Sequence, residues 1–268
     1  MVVGVNRALS IAETGMRYYE TALATASQNL AAAGVTGYKK AHAIGTDLPY
    51  TRHDPAGANT STSGTKTPSG IEIGLGVRTA AVVRNFSQGD LAKTDAPLDM
   101  AISGDGFFQI LMPDGTIAYT RAGVFTLSPT GLIITQPSGY TVGPGITVPT
   151  GTTGIKIDES GIVYVQVNNG STLTQVGQFQ TTTFMNPSGL AAMGDTLFQE
   201  TEASGNPDTG TPGTVRRGTI KQGYRESANS NTLEDVIELM RIEKHYNFLT
   251  KVLTTAKAIW EQDAQIGG

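Results

Sequence analysis

At each end of this chain apolar residues return at alternating steps of three and four, and the stretch between them does nothing of the kind. Leu9, Met16, Leu23 and Leu30 stand seven apart, with Ala12, Tyr19, Ala26 and Ala33 three residues after each. At the other end Leu239, Ile242, Tyr246, Leu249, Leu253, Ala256 and Trp260 keep the same period. Such a repeat lays every member on one seam of a helix, so both ends are predicted to be long seamed helices. The first runs from about Asn6 to Ala33, a rod of roughly 40 Å at ~1.5 Å per residue, and Gly34 stops it. The second runs from Asn231 to Gln262, and Asn231 and Glu234 have the spacing of a capping box. Beside the first seam, Ala8, Gly15 and Ala22 form a row of small residues that would admit a neighbouring helix closely.

Energetics turns these seams into an expectation about assembly. A large seam residue, fully buried, is worth about 1.5 to 3 kcal/mol, while ordering each helical residue costs about 1 to 2 kcal/mol of backbone entropy. The first helix offers alanine at three of its four d-type positions, so two helices meeting only along their seams are marginal. Val252 and Ile259 beside the second seam, and Phe248 beyond it, widen its apolar surface past what one partner covers. Both helices are therefore expected to become fully buried only against further copies of the chain.

Between the helices the texture changes. Residues 35–92 read as an extended linking region, in which 54–70 has almost no apolar residue larger than alanine and is predicted to be a polar loop. IEIGLGVRTAAVVRNF, from Ile71, suggests one or two strands. Over 93–202 short β-type runs such as FFQIL, TIAYT, VYVQV and LTQVGQF alternate with turn chemistry, including Gly104-Asp105-Gly106, Pro113-Asp114-Gly115 and Asn168-Asn169-Gly170. This pattern predicts a central all-β barrel or sandwich. A returning linker, 203–230, leads back to the last helix at 231–268, and 1–34 holds the first. The fold class is thus α+β: terminal helices paired as a coiled coil, a central β domain, and extended connections.

Composition narrows the function. The 268 residues include 33 glycines, only 16% are charged, and a net charge of −4 leaves no basic stripe for nucleic acid. There is no cysteine, which removes disulfides, cysteine-ligated zinc and cysteine nucleophiles. Glu13 and Thr14 interrupt any apolar signal core near the start, and no run reaches the ~18 to 20 residues of a membrane span, so neither a cleavable signal peptide nor membrane insertion is expected. Gly104-Asp105-Gly106 lacks the lysine and following helix of a phosphate loop and reads as a tight hairpin turn. Asp114-Gly115 lacks the repeated acidic positions of a calcium loop. His42, His53 and His245 stand alone, without metal-ligand spacing. No motif makes a positive case for catalysis, a metal or a cofactor.

One resemblance spans essentially the whole chain. Asn29-Leu30-Ala31 followed by Thr36-Gly37-Tyr38-Lys39 is similar to the N-L-A-N-x-x-T-x-G-[FY]-K signature near the start of bacterial flagellar rod and hook proteins. Ser87-Gln88-Gly89, Gly104-Asp105-Gly106-Phe107-Phe108, Tyr119-Thr120-Arg121 with Gly123 and Phe125, Asn186-Pro187-Ser188-Gly189-Leu190, and Gln222-Gly223-Tyr224 with Glu226 and Asn229 resemble that family's later motifs in order. Ala32, Gly34 and Val35 depart from the usual residues of the first signature, as Ala228, Lys244 and Asn247 do near the end. Within the family, length and the stretch from Asp47 to Leu91 resemble the distal rod branch most. The resemblance implies a non-enzymatic structural subunit whose copies form a helical tube crossing the periplasm, carrying torque to the hook and enclosing an export channel. It implies as partners further copies, other rod proteins, the hook protein, the ring proteins that act as a bushing, and the flagellar type III export apparatus. A hook or proximal rod subunit is the alternative within the family; a secreted β-domain binding module dimerised by its helices is the alternative outside it.

Overall fold

A computed structural model describes residues 2–54, 69–167 and 172–266. Most of the predicted polar loop and the Asn168-Asn169-Gly170 turn lie outside the described residues. The chain divides into two compact units: Met1–Leu30 with Ala41–Val83 and Thr232–Gly268, and Ala31–Lys40 with Arg84–Asn231. The whole is α+β, with a helix at each end and a β-rich centre.

In the first unit, helix α1 spans Val2–Ala31 and α2 spans Thr232–Ile266. α1 ends before Gly34, and Ala33, the last residue of the predicted seam, falls in the turn that follows. Successive contacts run Gly15 to Leu249, Tyr19 to His245, and Ala22 and Ala26 to Ile242, so α2 descends as α1 climbs and the helices are antiparallel. Strand Ala41–Asp47 pairs with Val77–Arg84, and Tyr50–Asp54 pairs antiparallel with Ile71–Gly74. The Ile71 stretch is therefore two strands.

The second unit is built on a nine-stranded sheet. Strand Phe107–Leu111 is its spine: Ile117–Thr120 lies along one edge, while Thr181–Thr183 and Thr141–Val142 divide the other. Phe108 and Phe107 point to opposite faces, as neighbours on a strand must. Phe108 enters the main core with Met100, Ile102, Ile110, Phe125 and Phe179, and Phe107 enters a second cluster with Tyr119, Phe184, Leu190 and Phe198. A three-stranded meander, Thr152–Ile157, Ile162–Val167 and Leu173–Gln178, adds Ile157, Val163 and Val165 to the main core. Among the described residues no sheet closes into a barrel, because the spine's second edge is shared and the path ends open at Ala191–Gly194 and Phe125–Leu127.

Two local expectations change. Gly104-Asp105-Gly106 is not a hairpin turn: Met100–Ser103 before it pairs with Thr219–Gln222, and Phe107–Leu111 after it joins the large sheet. The glycines serve a crossing instead, where Gly218 N–H donates to Asp105 O at 2.7 Å. Nor is every apolar run of 93–202 a strand: at ITVP, residues 146–149, Ile146 and Val148 are buried, but Thr147 makes only an isolated bridge to Leu132.

Candidate functional site: a packed helix pair and a buried ion cluster

In the first unit α1 meets α2 through small residues. A Cβ at Gly15 would stand 3.0 Å from Leu249 Cδ1, and Tyr19 and His245 stack with ring centroids 5.3 Å apart. Ala12, Ala22 and Ala26 are buried, and Leu9, Met16, Leu23 and Leu30 are half-buried, with Leu23 packed on the cluster of Ala22, Ala26 and Ile242. A second face of α1 takes the strands: Val77 N–H donates to Thr14 Oγ1 at 3.4 Å, and Gly45 lies under the Tyr18 ring. Asn29 is locked into that face, its amide donating to Ala41 O at 2.6 Å and accepting from Ala41 N–H at 2.9 Å.

α2 is two-faced. Ile242 and Ala256 are buried, and Leu239, Tyr246, Leu249 and Leu253 are half-buried; Trp260, the last of the seam, is exposed. Leu233, Ile237, Met240, Phe248, Val252 and Ile259 are exposed as well. At roughly 100° per residue these six fall on one stripe, across the helix from the Ile242 seam. His42 is exposed, and His245 is held by its ring stack.

In the second unit Lys39, Ser87, Gly89, Gly104, Arg121 and Glu226, each from a motif that carried the resemblance, meet at buried charge. Lys39 Nζ donates to Glu226 Oε1 at 2.6 Å and to Ser87 O at 2.7 Å, with both charged side chains wholly inaccessible. Glu226 Oε1 also accepts from Gly89 N–H at 3.0 Å. Arg121 Nη1 stands 3.7 Å from Glu226 Oε2, and Arg121 Nη2 donates to Gly104 O at 2.8 Å. Two cations thus share one carboxylate. Burial pushes the Lys39 ammonium pKa down despite the pull of Glu226, and it depresses the Arg121 guanidinium in the same way. Removing one member of such a cluster strands the others, which is worth about 3 to 5 kcal/mol.

Backbone contacts fix the cluster. Gly37 N–H donates to Glu226 O at 2.8 Å; its φ of +71° suits glycine, and a Cβ there would stand 2.5 Å from Ala122 N. Asn229 accepts from Lys40 N–H at 2.8 Å and donates to Asn85 O at 2.8 Å. Gln222 accepts from Ile157 N–H at 2.9 Å and donates to Pro97 O at 2.7 Å, and Gly223 N–H donates to Asp99 O at 2.7 Å. Thr36 and Tyr224 are half-buried, with Tyr224 paired to Lys93. Sequence reasoning missed the role of Arg121 and Glu226 as one ion cluster, and missed Asp99, which is buried and bound by Arg225 Nε at 2.6 Å. The available signal was a charged residue inside an apolar setting, such as Asp99 directly before Met100-Ala101-Ile102.

A family model described as the flagellar hook protein FlgE/F/G D1 domain matches residues 101–165. The flagellar basal-body rod protein FlgG of Agrobacterium fabrum is 40% identical over 250 residues, covering 93% of this chain and 95% of its own. Its counterpart in Buchnera aphidicola of Schizaphis graminum is 38% identical over 258 residues, covering 96% and 98%. That of Caulobacter vibrioides is 37% identical over 260 residues, covering 97% and 99%. Identity at this level along nearly the full length places the chain in the FlgG family, the structural subunits of the flagellar distal rod.

Proposed function

We propose that copies of this chain assemble into a helical tube through their terminal helices, pairing as a coiled coil whose outer stripe is covered by neighbouring copies. The tube transmits motor torque to the hook and encloses the export channel, with residues 1–34 and 231–268 as its inner helical layer, 93–202 as its β domain, and 35–92 and 203–230 as connections. The observation that carries this reading is the two-faced α2: one seam rests on α1, and the stripe of Ile237, Met240, Phe248, Val252 and Ile259 is exposed among the described residues. Leaving these five large apolar side chains in water forgoes about 1.5 to 3 kcal/mol each, a strong drive to bury them between copies. Axial neighbours are other rod proteins and the hook protein, the bushing rings surround the periplasmic span, and the flagellar type III apparatus delivers the chain. The reading assigns it no catalysis, metal, cofactor or nucleic acid.

Electron microscopy of the full chain at rising concentration tests this. Tubes are expected from the unmodified chain. Phe248→Asp, on the outer stripe, should abolish them while leaving helical circular dichroism unchanged; Leu249→Asp, on the inner seam, should abolish them and lower helical content. Tubes formed normally by Phe248→Asp would overturn the proposal.

A further inference from the structure

Within the second unit a strained turn presents an apolar knob that nothing in the unit covers. Arg217 N–H donates to Thr214 O at 2.9 Å, closing a turn whose second residue, Val215, has φ of +52°. A β-branched residue there is an outlier and strains the backbone. The base is braced: Arg217 Nη2 bonds Asp208 Oδ1 at 2.5 Å, and Gly213 N–H donates to Gly218 O at 3.0 Å. The tip is bare, with Val215 94% and Met185 80% exposed, and Arg216 Nη1 lies 3.9 Å from the Met185 sulfur. Among the described residues of the unit, no packing offsets the strain.

A matching surface lies at the other end of the spine strand. Leu111 and Ile117 face each other across the Phe107–Leu111 hairpin, 48% and 46% exposed. At its tip the Asp114 carboxylate accepts Thr116 N–H at 2.9 Å and Thr116 Oγ1–H at 2.7 Å, both on Oδ1. Those bonds hold its pKa below the usual carboxylate range, so it stays ionised. Gly218 N–H to Asp105 O ties the knob's base to the near end of the spine, and from Asp105 to Leu111 is about 20 Å of strand.

We infer that Val215 and Met185 of one copy dock on the Leu111–Ile117 pair of the next, with Arg216 of the first meeting Asp114 of the second. Each surface is a pair of exposed apolar side chains beside one charge, the charges are opposite, and two unlike surfaces at opposite ends of a strand suit a head-to-tail contact that can repeat from copy to copy. The inference rests on the reading that copies polymerise, and names the β-domain surfaces that would hold them end to end.

The chain has no cysteine, so a double variant Val215→Cys, Ile117→Cys has no background in disulfide trapping. Mild oxidation of the concentrated full chain should give a ladder of multimers, and a mixture of the two single variants only dimers. Arg216→Glu and Asp114→Arg should each raise the concentration needed for assembly about tenfold, and together restore it. Val215→Gly should melt higher as a monomer, since glycine accepts the positive φ, yet assemble less readily. Tubes from the unmodified chain without a ladder from the double cysteine variant would overturn the docking and leave the rod reading intact. Failure of the unmodified chain to form tubes counts against the rod reading; the ladder is scored separately, and its absence there sinks the docking too.

Discussion

Glu226 balances two cations with one carboxylate, and its two nearest charged neighbours reach it from residues far away in the chain. Glu226→Gln keeps the shape and removes the charge, leaving Lys39 and Arg121 buried against a neutral amide. Urea unfolding should show a loss of about 3 to 5 kcal/mol; a loss under 1 kcal/mol would show that the cluster is not holding the unit together. Tyr119 makes a second residue-scale case. Burial, reinforced by the Glu200 carboxylate 3.3 Å from its hydroxyl, pushes the phenol up to about 12. Its folded pKa lies above the unfolded value, so its contribution is fully present below pH 10 and is lost as pH climbs from 10 towards 12, about 2 kcal/mol in all. Thermal melts from pH 9 to 12 should show Tyr119→Phe losing less stability than the unmodified chain, with the two alike near neutrality apart from the cost of the Glu200 hydrogen bond.

At the scale of elements, the helix pair shows which side of a heptad meets its partner. The seven-residue repeat of Leu9, Met16, Leu23 and Leu30 marks α1 correctly as a helix. The face pressed on α2 joins Tyr19, Leu23 and Ala26 of the seam to Gly15 and Ala22 of the small row beside it, because Leu249 and Ile242 need room. Gly15→Ala should be nearly neutral, the gain of about 1 kcal/mol in helix propensity offsetting a small shift of the flexible Leu249 end. Gly15→Leu should cost about 1 to 3 kcal/mol by overpacking, read as an earlier loss of ellipticity at 222 nm. Strands with bulky residues, such as FFQIL and VYVQV, were legible from local pattern. Thr181–Thr183, Ala191–Gly194 and Asp208–Gly210 were not: they hold few large apolar residues and become strands only because partners in the sheet take up their backbone groups.

At the scale of the molecule, the second unit carries its own core and ion cluster. A fragment of residues 31–231 should therefore fold without the terminal helices, giving a β-type circular dichroism spectrum and one cooperative urea transition. That transition should move to lower urea when Glu226→Gln is introduced into the fragment. A fragment with no cooperative transition would mean that this unit depends on the helices for its stability. The Lys39–Glu226 bond joins residues 187 apart in sequence, so this unit can close only when nearly its whole length is present.

Local order along the chain was enough to set the two long helices, the β-rich middle and the turn at Pro113-Asp114-Gly115, because helix period, strand alternation and turn chemistry act within a few residues. The motifs were enough to indicate the family. Tertiary structure alone decided which row of α1 faces α2, which strands share an edge, and that Lys39, Arg121 and Glu226 form one cluster. Those outcomes depend on which distant segments are brought to the same place, and a charge can be buried only where its counter-charge arrives with it.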